Sequence, residues 1–338
     1  MKKILLVLFS TTLVSVATAA DGPMDFESRR TAQQLAVTPL KEVNQRVALI
    51  QYLQRVGSRK SILLLTNVLN DPAEGVSARR AAAQALAHYG DGVGSGSLYS
   101  FLRDFDPSTP KELIGDVISL LPEKVSPNVS RGLKAFNFPV ILEKLRKNGD
   151  LHHNASAIKK IINNAIAAGD KGIAEPYGKL LTETELYLET EENVCEMADN
   201  VAKINPKQIG PIALKKFFEL SSKYSYRLGV SCIGEMGMAV HTSGLTDALF
   251  PQALAKMKDP GNERARLTGV YSIYFYCFIA PKSPEVVSRC LETRSKLQEL
   301  ATSSQEFSEP VKRAADHAFK RINDRFALEE APLGHGTK

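Results

Sequence analysis

Tryptophan is absent from this 338-residue chain, aromatic side chains make up only 7% of it, and strict apolar/polar alternation is hard to find. A half-buried strand shows apolar residues at every second position, so this pattern excludes a fold built mainly of β-sheet. No stretch after the first twenty or so residues is apolar enough to span a membrane, which excludes a transmembrane bundle. Gly-x-Ser-x-Gly and His-Glu-x-x-His arrangements are missing, and with them the short signatures of α/β hydrolases and zinc proteases. Catalytic carboxylate pairs leave no such trace, because their members can lie far apart. Charge of one sign is not in large excess either. With 43 basic and 37 acidic residues the formal charge is +6, too mild for a nucleic-acid partner.

What is present begins with a leader. Lys2 and Lys3 precede a mostly apolar run from Ile4 to Val16, and Ala17-Thr18-Ala19-Ala20 offers small residues to a signal peptidase. This reads as a secretory signal peptide over residues 1–20, of bacterial type, which places the mature protein in a periplasm or outside the cell. No cysteine follows the apolar run, so no lipid anchor is expected, and no transmembrane anchor would survive cleavage. The remaining length, about 318 residues, suits two ordinary domains or one long repeat array.

Apolar residues recur at intervals of three and four. In Val76 to Tyr89, Ala78, Ala81 or Ala82, Ala85 and Leu86 share one side. In Pro310 to Phe326, Val311, Ala314, Ala315, Ala318, Phe319, Ile322 and Phe326 do the same. Turn signals punctuate the chain, among them Asp71-Pro72, Asp106-Pro107, Gly149-Asp150, Asn205-Pro206, Asp259-Pro260 and Pro281 to Pro284. About fifteen helices joined by short connectors cannot all surround one core. Stacked antiparallel pairs, each buried only against its neighbours, solve the problem. The expected fold is therefore all-α, an α-solenoid over residues 21–326, with a disordered tail over 327–338. A non-repetitive helical bundle is the alternative.

Two segments carry a family resemblance. Ser61-Ile-Leu-Leu-Leu-Thr-Asn-Val-Leu-Asn-Asp-Pro72 runs into Val76-Ser-Ala-Arg-Arg-Ala-Ala-Ala-Gln-Ala-Leu-Ala-His-Tyr-Gly-Asp91, and a weaker copy runs from Leu249 through Asp259-Pro260, Arg264 and Arg266 to Cys277. Both resemble HEAT-like repeats, covering about a quarter of the chain. The resemblance implies that Asp71 braces Arg79 or Arg80, and that Asp259 braces Arg264 or Arg266. The gap from Asp71 to its arginines is longer than the usual pattern, and residues 126–192 match poorly.

Four features invite functional readings. Gly90-Asp-Gly-Val-Gly-Ser-Gly96 lacks the strand and the lysine of a phosphate loop and reads as a loop between repeats. His152 and His153 are adjacent, so on a helix they diverge by about 100° and do not share a metal. No catalytic, metal or cofactor residue is assigned. Glu185, Glu189, Glu192, Glu196 and Asp199 step by four and three along one helical stripe, in a stretch without Lys or Arg. Like charges at this spacing repel by a few tenths of a kcal/mol each. The stripe is either a solvated face or a dock for a basic partner. Val270 to Ile279 holds five of the chain's aromatic residues. Tyr271, Phe275 and Phe278 share one face as core, while Tyr276 points away and is the candidate to line a peptide groove.

Four cysteines in an exported chain make bridges plausible. Cys277 lies four residues before Pro281 and Cys290 six after Pro284, so an antiparallel pair of helices would bring them to nearly one height. With helices 8–10 Å apart, their Cα atoms could approach to about 4–5.5 Å. Cys195 and Cys232 remain as the second pair; four buried free thiols are the alternative. These features together lead to an expectation: a non-catalytic exported scaffold that needs no cofactor and presents a helical-repeat surface to a protein or peptide of the cell envelope. The competing expectation is an envelope enzyme on a helical frame acting on cell-wall glycan.

Overall fold

The computed structural model describes residues 26–56, 61–89, 92–123, 136–153, 155–183, 188–223, 231–259, 261–303 and 307–326. The expected leader (1–20) and tail (327–338) lie outside them. Every regular element among the described residues is helical. The chain divides into two compact units, one ending at Asn137 and the other beginning at Phe138.

The first unit holds α1 (Phe26–Val37), α2 (Val43–Val56), α3 (Ser61–Asn70), α4 (Val76–His88), α5 (Val93–Asp104) and α6 (Lys111–Ser119). Each odd helix packs on the even helix that follows it. The odd helices also stack α1 on α3 on α5, and the even ones α2 on α4 on α6. Two rows of helices result, the arrangement of an α-solenoid. Alanine makes the middle pair fit: Ala78, Ala81, Ala82, Ala83 and Ala85 are all buried, letting α4 lie close to neighbours on several sides. The glycine stretch expected as a loop is helical from Val93 onward. Gly92 turns the chain with φ +120°, and Gly94 lets α5 pass so near α4 that a Cβ would stand 2.0 Å from the Leu86 carbonyl oxygen.

The second unit holds α7 (Phe138–Lys147), a single turn at Asp150–His153, then α8 (Ala155–Ala167), α9 (Ala174–Thr182), α10 (Leu188–Cys195), α11 (Ala198–Ile204) and α12 (Pro206–Lys223). It continues with α13 (Ser231–Thr242), α14 (Thr246–Met257), α15 (Glu263–Ile279), α16 (Pro284–Thr302) and α17 (Glu309–Phe326). Pairs again form between neighbours: α7 with α8, α12 with α13, α14 with α15, and α16 with α17. One row is continuous, running from α8 to α10 and α11, then α13, α15 and α17. Local chemistry sets the boundaries. Ser283 caps α16 by accepting from the Val286 N–H at 3.3 Å, with Pro284 in the first turn, and Asn262 caps α15 through the Ala265 N–H at 3.0 Å.

A recurring arginine ties helices to their partners. Arg46, Arg79 and Arg266 each occupy the fourth residue of a second helix in a pair (α2, α4 and α15), and each donates to backbone carbonyls at the end of the helix before it. Arg46 reaches Leu35 (2.8 Å) and Thr38 (2.5 Å), Arg79 reaches Leu69 (2.8 Å), and Arg266 reaches Asp259 (3.0 Å). These carbonyls are the groups a helix C-terminus leaves unsatisfied. The expected Asp–Arg brace therefore takes a different form. The side chains of Asp71 and Asp259 accept from the N–H groups of Ala73 (2.9 Å) and Gly261 (3.1 Å) in their own turns, and Arg80 pairs instead with Asp116.

Candidate functional site

The acidic stripe does not survive as one surface. α10 ends at Cys195 and α11 begins at Ala198, so the helical phase that aligned Asp199 with the glutamates is interrupted. Asp199 is buried. It pairs with Lys203 at 2.6 Å and accepts a hydrogen bond from the Thr242 hydroxyl, which corrects its reading as a partner-binding residue. Glu196 meets Lys159 of α8 at 2.8 Å. Glu192 is exposed, while Glu185 and the side chain of Glu189 lie outside the described residues. Glu235 of α13 was not anticipated. Burial, together with Asp199 and Glu196, raises its carboxyl above the ordinary range, and Lys203 partly offsets them.

Tyr276 also needs correction. Only 1% of it is exposed, its ring meets Phe250 edge-on at 5.1 Å, and its hydroxyl lies 3.1 Å from Thr246 Oγ1 and 3.3 Å from His241 Nδ1. It fills the core rather than lining a groove. The exposed aromatic of Val270 to Ile279 is Phe278, read from the sequence as core but 44% exposed, with the guanidinium groups of Arg321 and Arg325 at 5.4 and 5.9 Å from its ring centre. α15 packs against α12, α13, α14, α16 and α17, so nearly every face of it is core and its three-to-four rhythm cannot single out one.

The cysteines fall into the expected pairs at disulfide distance, Cys277 with Cys290 (Cα–Cα 5.6 Å) and Cys195 with Cys232 (4.9 Å). The Ser-x-x-Lys spacing occurs at Ser108/Lys111 and Ser156/Lys159. All four residues are exposed, and Lys159 is held by Glu196, so neither offers the buried base such a motif requires. Among the described residues, no group of three or more His, Cys, Asp or Glu is placed to hold a metal, and no helix is long and apolar enough to cross a membrane.

Two concavities open on the first unit. A groove of about 600 Å³ between α1 and α2 is lined by Phe26, Arg30, Gln34, Leu49, Tyr52 and Arg55. A second cleft, of about 490 Å³, lies where the α3–α4 turn meets the α5–α6 turn. Its walls include Phe101, Phe105, Pro72 and Pro110, with Arg79 and Thr109 among its polar groups. Arg79 is 5% exposed and sits over the Phe101 ring at 5.8 Å. Burial lowers the affinity of its guanidinium for a proton, and Asp71 partly restores it. The hint in the sequence was an arginine at the start of an alanine-rich helix; its solvent-facing atoms were not legible there.

Fold and surfaces together define a protein of stacked helical pairs, an α-helical repeat protein. No protein-family model matches the chain, and no curated protein matches it. Among solved structures it is similar to the crystal structure of an engineered protein, at 17% identity over 88% of this chain and 74% of that one (TM-score 0.43). It is also similar to a designed armadillo repeat protein, at 16% identity over 87% and 99% (TM-score 0.21). At these scores neither likeness bears on function, and the architecture rests on the packing described above.

Proposed function

We propose that the chain is an exported, HEAT-like binding scaffold that presents its helical surface to a protein of the cell envelope. One observation carries this reading: within each unit, successive helical pairs pack on one another along a row, the architecture repeat proteins use to build recognition surfaces. The leader read at residues 1–20 supports export, and two cysteine pairs at bonding distance suit an oxidising compartment. Glu192, an acidic side chain of α10, faces solvent. Affinity capture from envelope extract tests the proposal. The mature protein should retain a defined partner, and Glu192→Lys should weaken that capture without moving the melting temperature. A protein that captures nothing, yet cleaves cell-wall glycan fragments, would overturn it.

A further inference from the structure

The cleft between the α3–α4 and α5–α6 turns contains a buried cation that feels the charge of Asp71 but lacks the hydrogen-bonded carboxylate its counterpart possesses. Arg46 and Arg79 hold the same place in successive helical pairs, the fourth residue of α2 and of α4. Arg46 uses four of its five donors: beside its two backbone acceptors, its Nε lies 2.9 Å from Glu74, and its Nη2 also meets the same carboxylate. Glu74 stands two residues ahead of α4. The residue two ahead of α6 is Thr109, which lines the cleft and has no charge to offer. Arg79 uses its Nε on the Leu69 carbonyl, and among the described residues neither of its terminal nitrogens finds an acceptor. A guanidinium carries five N–H donors in a planar fork matched to carboxylate, and the terminal nitrogens of Arg79, on a side chain otherwise buried, open onto the cleft.

The surroundings narrow the ligand. Phe101, Phe105, Pro72 and Pro110 give the cleft an apolar wall, and its volume falls within the range of small-ligand sites. Asp104, which Arg103 holds at 2.6 Å, and Asp106 also line it. These acids disfavour a phosphate or a polyanion and favour a cation beside the bound anion. We infer that this cleft binds a peptide carboxylate, held by the terminal nitrogens of Arg79 in the place Glu74 takes at Arg46, with an apolar neighbour against the phenylalanines and a Lys or Arg near Asp106. The peptide nature of the ligand rests on the binding-protein reading above. The carboxylate can come from an acidic side chain or from a chain end.

Both sources can be tested on the whole mature protein by titration calorimetry. The probes are acetyl-Lys-Leu-Glu-Leu-amide, acetyl-Lys-Leu-Leu with a free carboxyl end, and acetyl-Lys-Leu-Gln-Leu-amide, which carries no carboxylate. At least one carboxylate probe should bind ten-fold or more tightly than the glutamine control, and the one that does identifies the source. Thr109→Glu would restore the internal carboxylate. It should abolish probe binding and raise the melting temperature, whereas Thr109→Gln should leave the carboxylate probe bound. Equal binding of all three probes, or none at millimolar concentration, would overturn the inference, as would a Thr109→Glu protein that binds like the parent. Capture from extract separates the two readings. A partner retained while no probe binds removes the cleft and leaves the scaffold; probe binding with nothing captured does the reverse.

Discussion

The bases that quench Glu183 and Glu196 come from other helices, and the one that quenches Asp199 lies beyond the acidic stretch. Glu183 pairs with Arg146 of α7, Glu196 with Lys159 of α8, and Asp199 with Lys203 one turn further along α11. A charge count along residues 183–199 sees only repulsion, because two of these three partners lie 37 residues earlier in the chain. The site was legible as a composition and illegible as a surface for this reason. Arg146 also grips Glu143 through two contacts of 3.0 Å, with Lys147 at 3.3 Å, and the Arg146 hydrogen bonds hold the Glu143 carboxyl at about 2, from an ordinary 4.5. The folded state thus favours the ionised form. Its contribution is present in full above 4.5 and is lost as pH falls from there toward 2. Glu143→Gln should therefore be less stable than the parent at neutral pH, and the gap between their denaturation midpoints should close by pH 2. A gap that stays constant across this range would show that Glu143 acts through packing, not charge.

Helices were the readable level of this chain, since their turn signals and three-to-four rhythm depend on local chemistry. α17 shows this well: of the expected residues, Val311, Ala314, Ala315, Ala318, Ile322 and Phe326 are buried and Phe319 is half-buried. α15 shows where the rhythm fails, for a helix enclosed by five others has no polar face to set the phase. That enclosure depends on close approach. A Cβ on Gly269 would stand 2.5 Å from the Ala253 carbonyl oxygen and 2.6 Å from the Met257 amide nitrogen, both on the backbone of α14. Helix propensity alone would make Gly269→Ala stabilising by about 1 kcal/mol. Forcing two backbones apart costs about 1–3 kcal/mol or more, and backbone atoms cannot swing aside as a side chain can. The clash should win, lowering chemical-denaturation stability by about 1–2 kcal/mol net. Gly261→Ala, where the nearest atom is 3.9 Å away, should stay within about 0.5 kcal/mol of the parent. Equal effects at the two positions would remove close packing as the reason for glycine at 269.

At the scale of the whole molecule, covalent ties are confined to one part. All four cysteines belong to the second unit. Cys195–Cys232 joins α10 to α13, which touch within the continuous row, and Cys277–Cys290 joins α15 to α16 across a short turn. The second pairing followed from helix lengths read in the sequence, because two helices and one turn fix it. The first needed knowledge that α11 and α12 bring α10 back beside α13. In the chain-entropy account, closing loops with sequence separations of 13 and 37 residues stabilises by about 3 and 4 kcal/mol. Stacked repeats gain their stability from neighbours, so the loss on reduction should stay near the broken tie. Hydrogen exchange followed by mass spectrometry, with and without a reductant, can read this helix by helix. Amides in α10, α13, α15 and α16 should exchange faster after reduction, while those in α2 and α4 should keep their rates. Acceleration spread equally over α2 and α4 would mean that the cysteine ties stabilise the molecule globally, and unchanged rates in α13 and α15 would mean that the ties contribute nothing beyond packing.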